Sequence, residues 1–487
     1  MYARLLTILI CTTSLSACMV GPDYTSPELA LATSYRDGSG KGVPIKPETA
    51  WWATFQDKRL TSFVNTGLQQ NLDVLQALEK ISEARSNIVV AKAGALPSLS
   101  GAASGTGSGE DGKTAGVDTS ETTLTGSGDF SVSWLVDLFG KYRRNTEAAV
   151  ASLGAAYADA DTARLTLLSD LTTEYINARL YQEQLAITRE TVESRKATMA
   201  LTNEKLQVGA ATGLDVAQAE GLLKTAEADL PGYSVSFKQS AYQIAYLLGQ
   251  NPDTVLQDLQ KGAVIPRPHF NVNLGVPADI LRNRPDIKSA ERSLASATAS
   301  IGVAEADLYP SLSLSGSIGI SASVISSSPD SLLRNWSFGP SLSIPIFQGG
   351  ELKANVDIAK SQAQQQYLSW RSTVLNGAKE VQSALTAYRE QNRQIAALAA
   401  SVDAYKRALD LSRQSYQSGA SSFLDVLDAE RSWSDARLNL ASAQATRAKY
   451  FITLCVAAGG GYAQKAPSGP ALVADGSQER RPKQNHM

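Results

Sequence analysis

The chain has 487 residues, 19% charged and 7% aromatic, with 45 Lys and Arg against 47 Asp and Glu for a formal charge of −2. No basic run or basic domain occurs, so the electrostatic footprint of a nucleic-acid binder is missing. The only histidines are His269 and His486, which leaves no His-based metal or nucleophile site, and the Ala, Ser, Leu and Gln bias suits long helices.

At the N-terminus Arg4 supplies a short positive region, Leu5 to Ile10 an apolar stretch, and small residues lead to Cys18. Residues 1–17 therefore read as an export signal. The run Leu15-Ser16-Ala17-Cys18 resembles the lipobox of bacterial lipoproteins, which implies lipidation of Cys18. Met19 stands where an aspartate would retain such a protein at the inner membrane, so the outer membrane is expected. Cys11 leaves with the signal and Cys455 is then unpaired, so no intramolecular disulfide is available. Residues 18–70 read as an N-terminal lipidated segment. Beyond the signal there is no run of about 18 apolar residues, so any membrane spanning falls to strands.

The remainder is one unit written twice. LDVLQALEKISEARSNIVVAKAGALPSLS from Leu72 aligns with PDIKSAERSLASATASIGVAEADLYPSLS from Pro285, pairing Asp73 with Asp286 and Pro97 with Pro310 at an offset of 213. Phe139 in VDLFG and Phe347 in IPIFQGG are 208 apart, and Gly209, Asp215 and Glu220 precede Gly419, Asp425 and Glu430 by 210. The repeats are set at 71–270 and 271–458, each as helix, strand, loop, strand, long helix, tight turn, helix. A tail at 459–487 is expected to be flexible.

Period-2 alternation marks hairpins at about 97–138 and about 310–346. Leu312, Leu314, Ile318, Ile320 and Val324 alternate with serines, and Trp336, Phe338, Leu342, Ile344 and Ile346 repeat the pattern. The first hairpin offers Leu124, Phe130, Val132, Trp134, Val136 and Leu138. Strands of roughly 10 to 13 residues match the roughly 9 to 11 needed to span a membrane. Four strands cannot close a barrel, and an open edge in lipid leaves backbone groups unsatisfied, so oligomerisation is the physical way out. On alternation alone, a soluble hairpin packed on a core is the alternative.

Between about Lys141 and Gln207, and between about Glu351 and Gln417, no proline occurs, so helices of roughly 100 Å are expected. Apolar and small residues recur at three- and four-residue spacing, which fits a coiled coil or an ordinary bundle. Helices of about 35 residues follow, to Leu248 and Val456. Two corners join the helices, at about 209–214 and about 419–423. Gly209 and Gly419 suit the left-handed residue that closes a helix, and Thr212 and Ser422 suit the cap of the next. On geometry alone that is helix punctuation. Past the second corner Leu424, Asp428 and Arg431 fall at i, i+4 and i+7 on one helical face. Such a face is usually a solvated stripe with a weak ion pair, but three copies meeting at an axis would make it three rings across a hole.

Together these features resemble the TolC-like outer-membrane factors, in the lipoprotein branch that includes OprM and NodT. The likeness covers nearly the whole mature chain. It rests on LSACMVGPDY from Leu15, ETAWW, FQDKRL, LFG at Leu138, RPDI at Arg284, DLYPSLSLSGSIG at Asp307 and SGASSFLDVLDAER ending at Arg431. It implies a membrane α+β fold, duplicated within the chain: a homotrimer in which each chain gives four strands to a twelve-stranded outer-membrane β-barrel, continuous with a long periplasmic α-helical barrel. The resemblance also implies that residues 18–70 form an equatorial domain.

The resemblance implies no enzyme, cofactor or metal. It implies a passive exit duct of a tripartite efflux system, conducting drugs or other small toxic compounds. The implied partners are a periplasmic membrane-fusion adaptor, an inner-membrane RND-type transporter and outer-membrane lipid, with no nucleic acid. Position by position, Tyr416, Leu424, Asp428 and Arg431 match residues that close the periplasmic aperture. Gly209, Thr212, Gly213, Asp215, Gly419, Ser422 and Asp425 lie in corners that match adaptor-docking turns. Gln218 stands where the second repeat has Asp428, so the main gate is assigned to the second repeat. The competing readings are an exit duct for type I protein secretion and a structural periplasmic coiled-coil lipoprotein, which leaves the alternating strands unexplained. No nucleophile and base pair, and no GxGxxG, P-loop or HExxH pattern, supports an enzyme.

Overall fold

The computed structural model describes residues 19–28, 43–114, 116–262, 264–269, 272–273, 281–325 and 328–463. In chain order the elements are β1 (Val43–Pro44), a 3₁₀ turn (Trp51–Phe55), α1 (Lys58–Gln70), α2 (Leu72–Ala93), β2 (Ser98–Thr114), β3 (Val117–Val136), α3 (Lys141–Gln207) and α4 (Gly213–Leu248). There follow α5 (Pro252–Gln260), β4 (Val272–Asn273), α6 (Pro285–Ala306), β5 (Ser311–Ile325), β6 (Ser328–Ser343), α7 (Glu351–Gln417) and α8 (Phe423–Ala457). Helix, hairpin, long helix, corner and helix thus occur twice. No helix among the described residues is long and apolar enough to cross a membrane.

The chain divides into two compact units: Met1–Glu28, Glu79–Ala158 and Asp286–Thr373 form one, and Leu29–Leu78, Asp159–Pro285 and Val374–Met487 the other. In the first, β2, β3, β5 and β6 make one antiparallel sheet in that order. The registers set Gly101, Phe130, Ile318 and Trp336 in one row and Leu99, Val132, Gly316 and Phe338 in another on the same face. Period 2 therefore gathers the apolar side chains on one side, and that side is open: Trp336 is 80% exposed and Phe338 72%. On the other side serine hydroxyls bridge the strands, Ser100 with Ser131 at 2.8 Å, Ser104 with Ser127 at 2.8 Å and Ser317 with Ser337 at 2.9 Å.

The strands have 17, 20, 15 and 16 residues, longer than expected from the apolar alternation. The β2–β3 ladder continues beyond the Ser108 and Thr123 pair into Gly, Thr and charged positions, because backbone pairing needs no apolar face. At its other end β6 stops at Ser343, short of the expected Ile346. Pro345 has no N–H to donate to a ladder, and Ile344 and Ile346 lie exposed past the strand.

The strand bases are fixed by specific contacts within this unit. Trp134 Nε1 donates to the Ala95 carbonyl at 2.9 Å, and Phe139 stacks on Tyr309 with centroids 4.7 Å apart. Arg144, 1% exposed, donates to the carbonyls of Val20 at 3.0 Å and Gly21 at 2.9 Å and to the Asp23 carboxylate at 2.9 Å. Met19 lies against Gly140, whose φ of +84° and whose close approach, 2.6 Å from an added Cβ to Met19 Cγ, both require glycine. Tyr24 donates to Glu291 at 3.1 Å; burial, then the Glu291 charge, push its hydroxyl pKa up to about 12. Residues 19–28 thus belong to the sheet unit and not with the remainder of 18–70.

The second unit is built around the two tryptophans of ETAWW. Trp51 and Trp52 pack with Leu60 of α1, Leu168 and Leu171 of α3, Ile244 of α4 and Phe451 of α8. Each fully buried Leu or Phe contributes about 1.5–3 kcal/mol, whereas an exposed ion pair gives about 0–1 kcal/mol. The core, not the helix surfaces, therefore holds these segments together. Arg284 of RPDI donates to the Ala457 carbonyl at 3.0 Å and pairs with Glu380 at 2.8 Å. The tail begins later than expected: Trp51 Nε1 donates to the Gly460 carbonyl at 3.0 Å, and Tyr462, 5% exposed, donates to the Asn283 carbonyl at 2.8 Å. Residues 459–462 are core, and 464–487 lie outside the described residues.

Candidate functional site

The two corners share one hydrogen-bonding scheme. Gly209 (φ +73°) and Gly419 (φ +79°) hold the left-handed conformation, and an added Cβ would meet nothing within 4 Å at either. Their backbone conformation, not crowding, is what calls for glycine. Ala210 N–H donates to the Lys205 carbonyl and Ala420 N–H to the Ser415 carbonyl, both at 2.8 Å, closing α3 and α7.

The next helices open on reciprocal caps. Thr212 Oγ1 accepts from Asp215 N–H at 3.2 Å while Asp215 Oδ2 accepts from Thr212 N–H at 2.7 Å; Ser422 and Asp425 repeat this at 3.3 and 3.0 Å. Asp215 and Asp425 are thus committed to the turns themselves, a use the sequence reading did not assign. Gly213, the first residue of α4, has no positive φ and no close neighbour.

Three of the four aperture candidates meet on one surface. Asp428 and Arg431 pair within the chain at 2.7 Å, both side chains 61% exposed, and Leu424 is 60% exposed. With Leu427 they line a shallow groove closed by Gln218 and Leu222 of α4. Tyr416 is not on that surface. It is 8% exposed, its ring lies 5.3 Å from Phe423, and Lys205 Nζ sits 3.6 Å from the ring centroid. Burial, then the Asp215 carboxylate, raise its hydroxyl pKa above the usual phenol range. Tyr416 thus stands behind the corner and ties the two corners to each other. Lys205 Nζ also donates to the Tyr416 carbonyl at 3.0 Å.

A further polar centre lies next to the second corner. Glu430, 4% exposed, accepts at Oε1 from Arg413 Nη2 at 2.6 Å, Thr198 Oγ1 at 2.7 Å and Ser194 Oγ at 3.3 Å. One carboxylate therefore ties α3, α7 and α8. Sequence reasoning used Glu430 only to mark the repeat. The signal was present: 210 residues earlier, Asn203 stands in place of Arg413, and Glu220 is exposed. Cys18 lies outside the described residues.

The outer membrane efflux protein family matches residues 64–250 and 276–460. Nodulation protein T of Rhizobium leguminosarum bv. trifolii is 44% identical over 455 residues, 93% of this chain and 97% of that protein. The cation efflux system protein CusC of Escherichia coli O6:H1 is 30% identical over 459 residues, 93% of this chain and 97% of that protein. The solved outer-membrane channel OprN matches with a TM-score of 0.82 at 30% identity, covering 91% of this chain and 100% of that chain. The fold is the TolC-like outer-membrane channel fold, with one four-stranded antiparallel sheet among the described residues. The chain belongs to the outer membrane efflux protein family.

Proposed function

We propose that three copies of the chain form the exit duct of a tripartite efflux system. The sheet carries this reading. Its apolar face is exposed across four strands, and the outer edges of β2 and β6 have no partner strand among the described residues. Lipid does not tolerate open edges, and single-chain barrels need about eight strands or more. Three four-stranded sheets closing into a twelve-stranded barrel satisfy both, with the serine face turned to a water-filled lumen. Acylation of Cys18 fits the same membrane, because Met19 is held against Gly140 near the end of β3. A lipid anchor holds a protein at a membrane surface without spanning it, so the spanning falls to the strands.

The exposed corners around Gly209, Thr212, Gly213 and Asp215, and around Gly419, Ser422 and Asp425, dock a periplasmic membrane-fusion adaptor. An inner-membrane RND-type transporter supplies the energy and the selection, and the cargo is drugs or other small toxic compounds. Leu424, Asp428 and Arg431 close the resting aperture as rings around the axis, and Tyr416 supports the corner from behind. A ring of carboxylates favours cations in a narrow bore.

Cysteines placed at Ala210 and Ala420 of the full chain, with a bifunctional crosslinker in cells, test the partnership. The expected product is a covalent complex with one adaptor, and deletion of the chain raises susceptibility to small toxic compounds. Capture of no adaptor together with unchanged susceptibility contradicts the efflux assignment.

A further inference from the structure

Within the apolar face stands one guanidinium that the duct reading does not use. On β6, Arg334 stands on the same alternate positions as Trp336, Phe338 and Leu342, and it pairs with Ile320, which faces Gly128 and then Ala103. Its side chain therefore points to the same side as the aromatic ones. With Gly101, Ala103, Gly128, Phe130 and Ile318 it lines a hollow of about 670 Å³. The floor is low because two of those positions lack a side chain and one carries only a methyl. No hydrogen bond or ion pair within the described residues engages Arg334.

A permanently charged guanidinium on a lipid-facing strand is tolerated only near the membrane interface. Its level agrees with that: eight residues from Leu342 at about 3.4 Å each, on a strand tilted about 40°, put it roughly 20 Å up an apolar band about 25 Å tall. The side chain can reach the headgroup level from there by extending along the sheet. Its forked donors match phosphate oxygens, and the hollow beside it matches an acyl chain. The hairpin turns lie at this end of the strands and the helices at the other, which makes this the outer leaflet in the duct reading.

We propose that the hollow binds a phosphorylated, acylated lipid of the outer leaflet, with phosphate on Arg334 and one chain over Gly101, Ala103 and Gly128 between Phe130 and Ile318. The proposal rests on the membrane-spanning part of the proposed function. All lining residues come from one chain, so the site does not need a subunit boundary.

Native mass spectrometry of the purified full-length channel, with bisphosphorylated lipid A or its dephosphorylated form as probe, tests it. The phosphorylated form is expected to be retained about tenfold more strongly, as charge-assisted pairing requires. Arg334→Gln removes that preference, Arg334→Lys keeps part of it, and Gly128→Leu weakens retention of both forms. Equal retention of the two forms, or an unchanged preference in Arg334→Gln, overturns the proposal. Planar-bilayer recordings on the same preparations separate the two failures. Channels without phosphate preference remove the lipid site alone, whereas absence of channels removes the membrane-facing assignment and the site with it.

Discussion

Arg413 Nη2 lies 2.6 Å from Glu430 Oε1, and that carboxylate is 4% exposed while the arginine side chain is 39% exposed. Such a pair is costly to break from the exposed side, because removing the arginine leaves the buried carboxylate without a charge partner. Arg413→Ala leaves the Glu430 carboxylate buried with only the Thr198 and Ser194 hydroxyls, and is expected to destabilise the corner by about 3 kcal/mol. Glu430→Ala removes the buried charge and leaves an arginine that water already reaches, so it costs about 1–2 kcal/mol. Hydrogen exchange of the amides of 423–434 is the measurement, with Arg413→Ala accelerating it more than Glu430→Ala. Equal protection in both variants and the unaltered chain would show that the acid does not hold the three helices.

The corner caps give a second, independent expectation. Asp215→Ala and Asp425→Ala each remove one half of a reciprocal cap and cost about 1 kcal/mol. Gly209→Ala and Gly419→Ala force a side chain into the left-handed region and cost about 1 kcal/mol. Gly213→Ala is neutral or slightly stabilising, since it sits in ordinary helical backbone with nothing near it. Limited proteolysis at the corners reads the difference: cutting speeds up in the first four variants and not in the fifth.

Cys455 is the one free cysteine among the described residues; it is fully buried, and burial pushes its thiol pKa well above the usual value. A maleimide at pH 8 is therefore expected to leave it unmodified in the folded protein and to label it once denaturant is added. Rapid labelling of the native protein would mean that the core around Trp51 and Phe451 opens far more readily than its packing implies.

Much of this architecture was legible in the sequence because duplication and period-2 alternation are local signals. Asp73 with Asp286, Phe139 with Phe347 and Gly209 with Gly419 located both repeats, and Phe130, Ile318 and Trp336 fall in one row of the sheet as their alternation requires. Strand ends were less legible: the ladder runs on where side chains turn polar, and Pro345 stops β6 before the apolar pattern ends. Contacts between distant segments were hidden. Nothing near Gly460 or Tyr462 in the chain announces Trp51 or Asn283 as their partners.

At the corners the glycines and caps were readable, since each depends on neighbours a few residues away. The burial of Tyr416 was not, because it depends on Lys205 and Phe423 packing from both sides of the turns. The pairing of Glu430 with Arg413 left one trace, the absence of an arginine at the equivalent first-repeat position, Asn203.

The central claim, a membrane duct held shut at its periplasmic corners, is tested most directly by single-channel recording of the purified full-length chain in planar bilayers. The account predicts channels of small resting conductance that rises several-fold when Asp428→Ala and Arg431→Ala are combined, with the assembly still trimeric. A double variant whose conductance equals that of the unaltered channel, or a trimer that forms no channels at all, would contradict it.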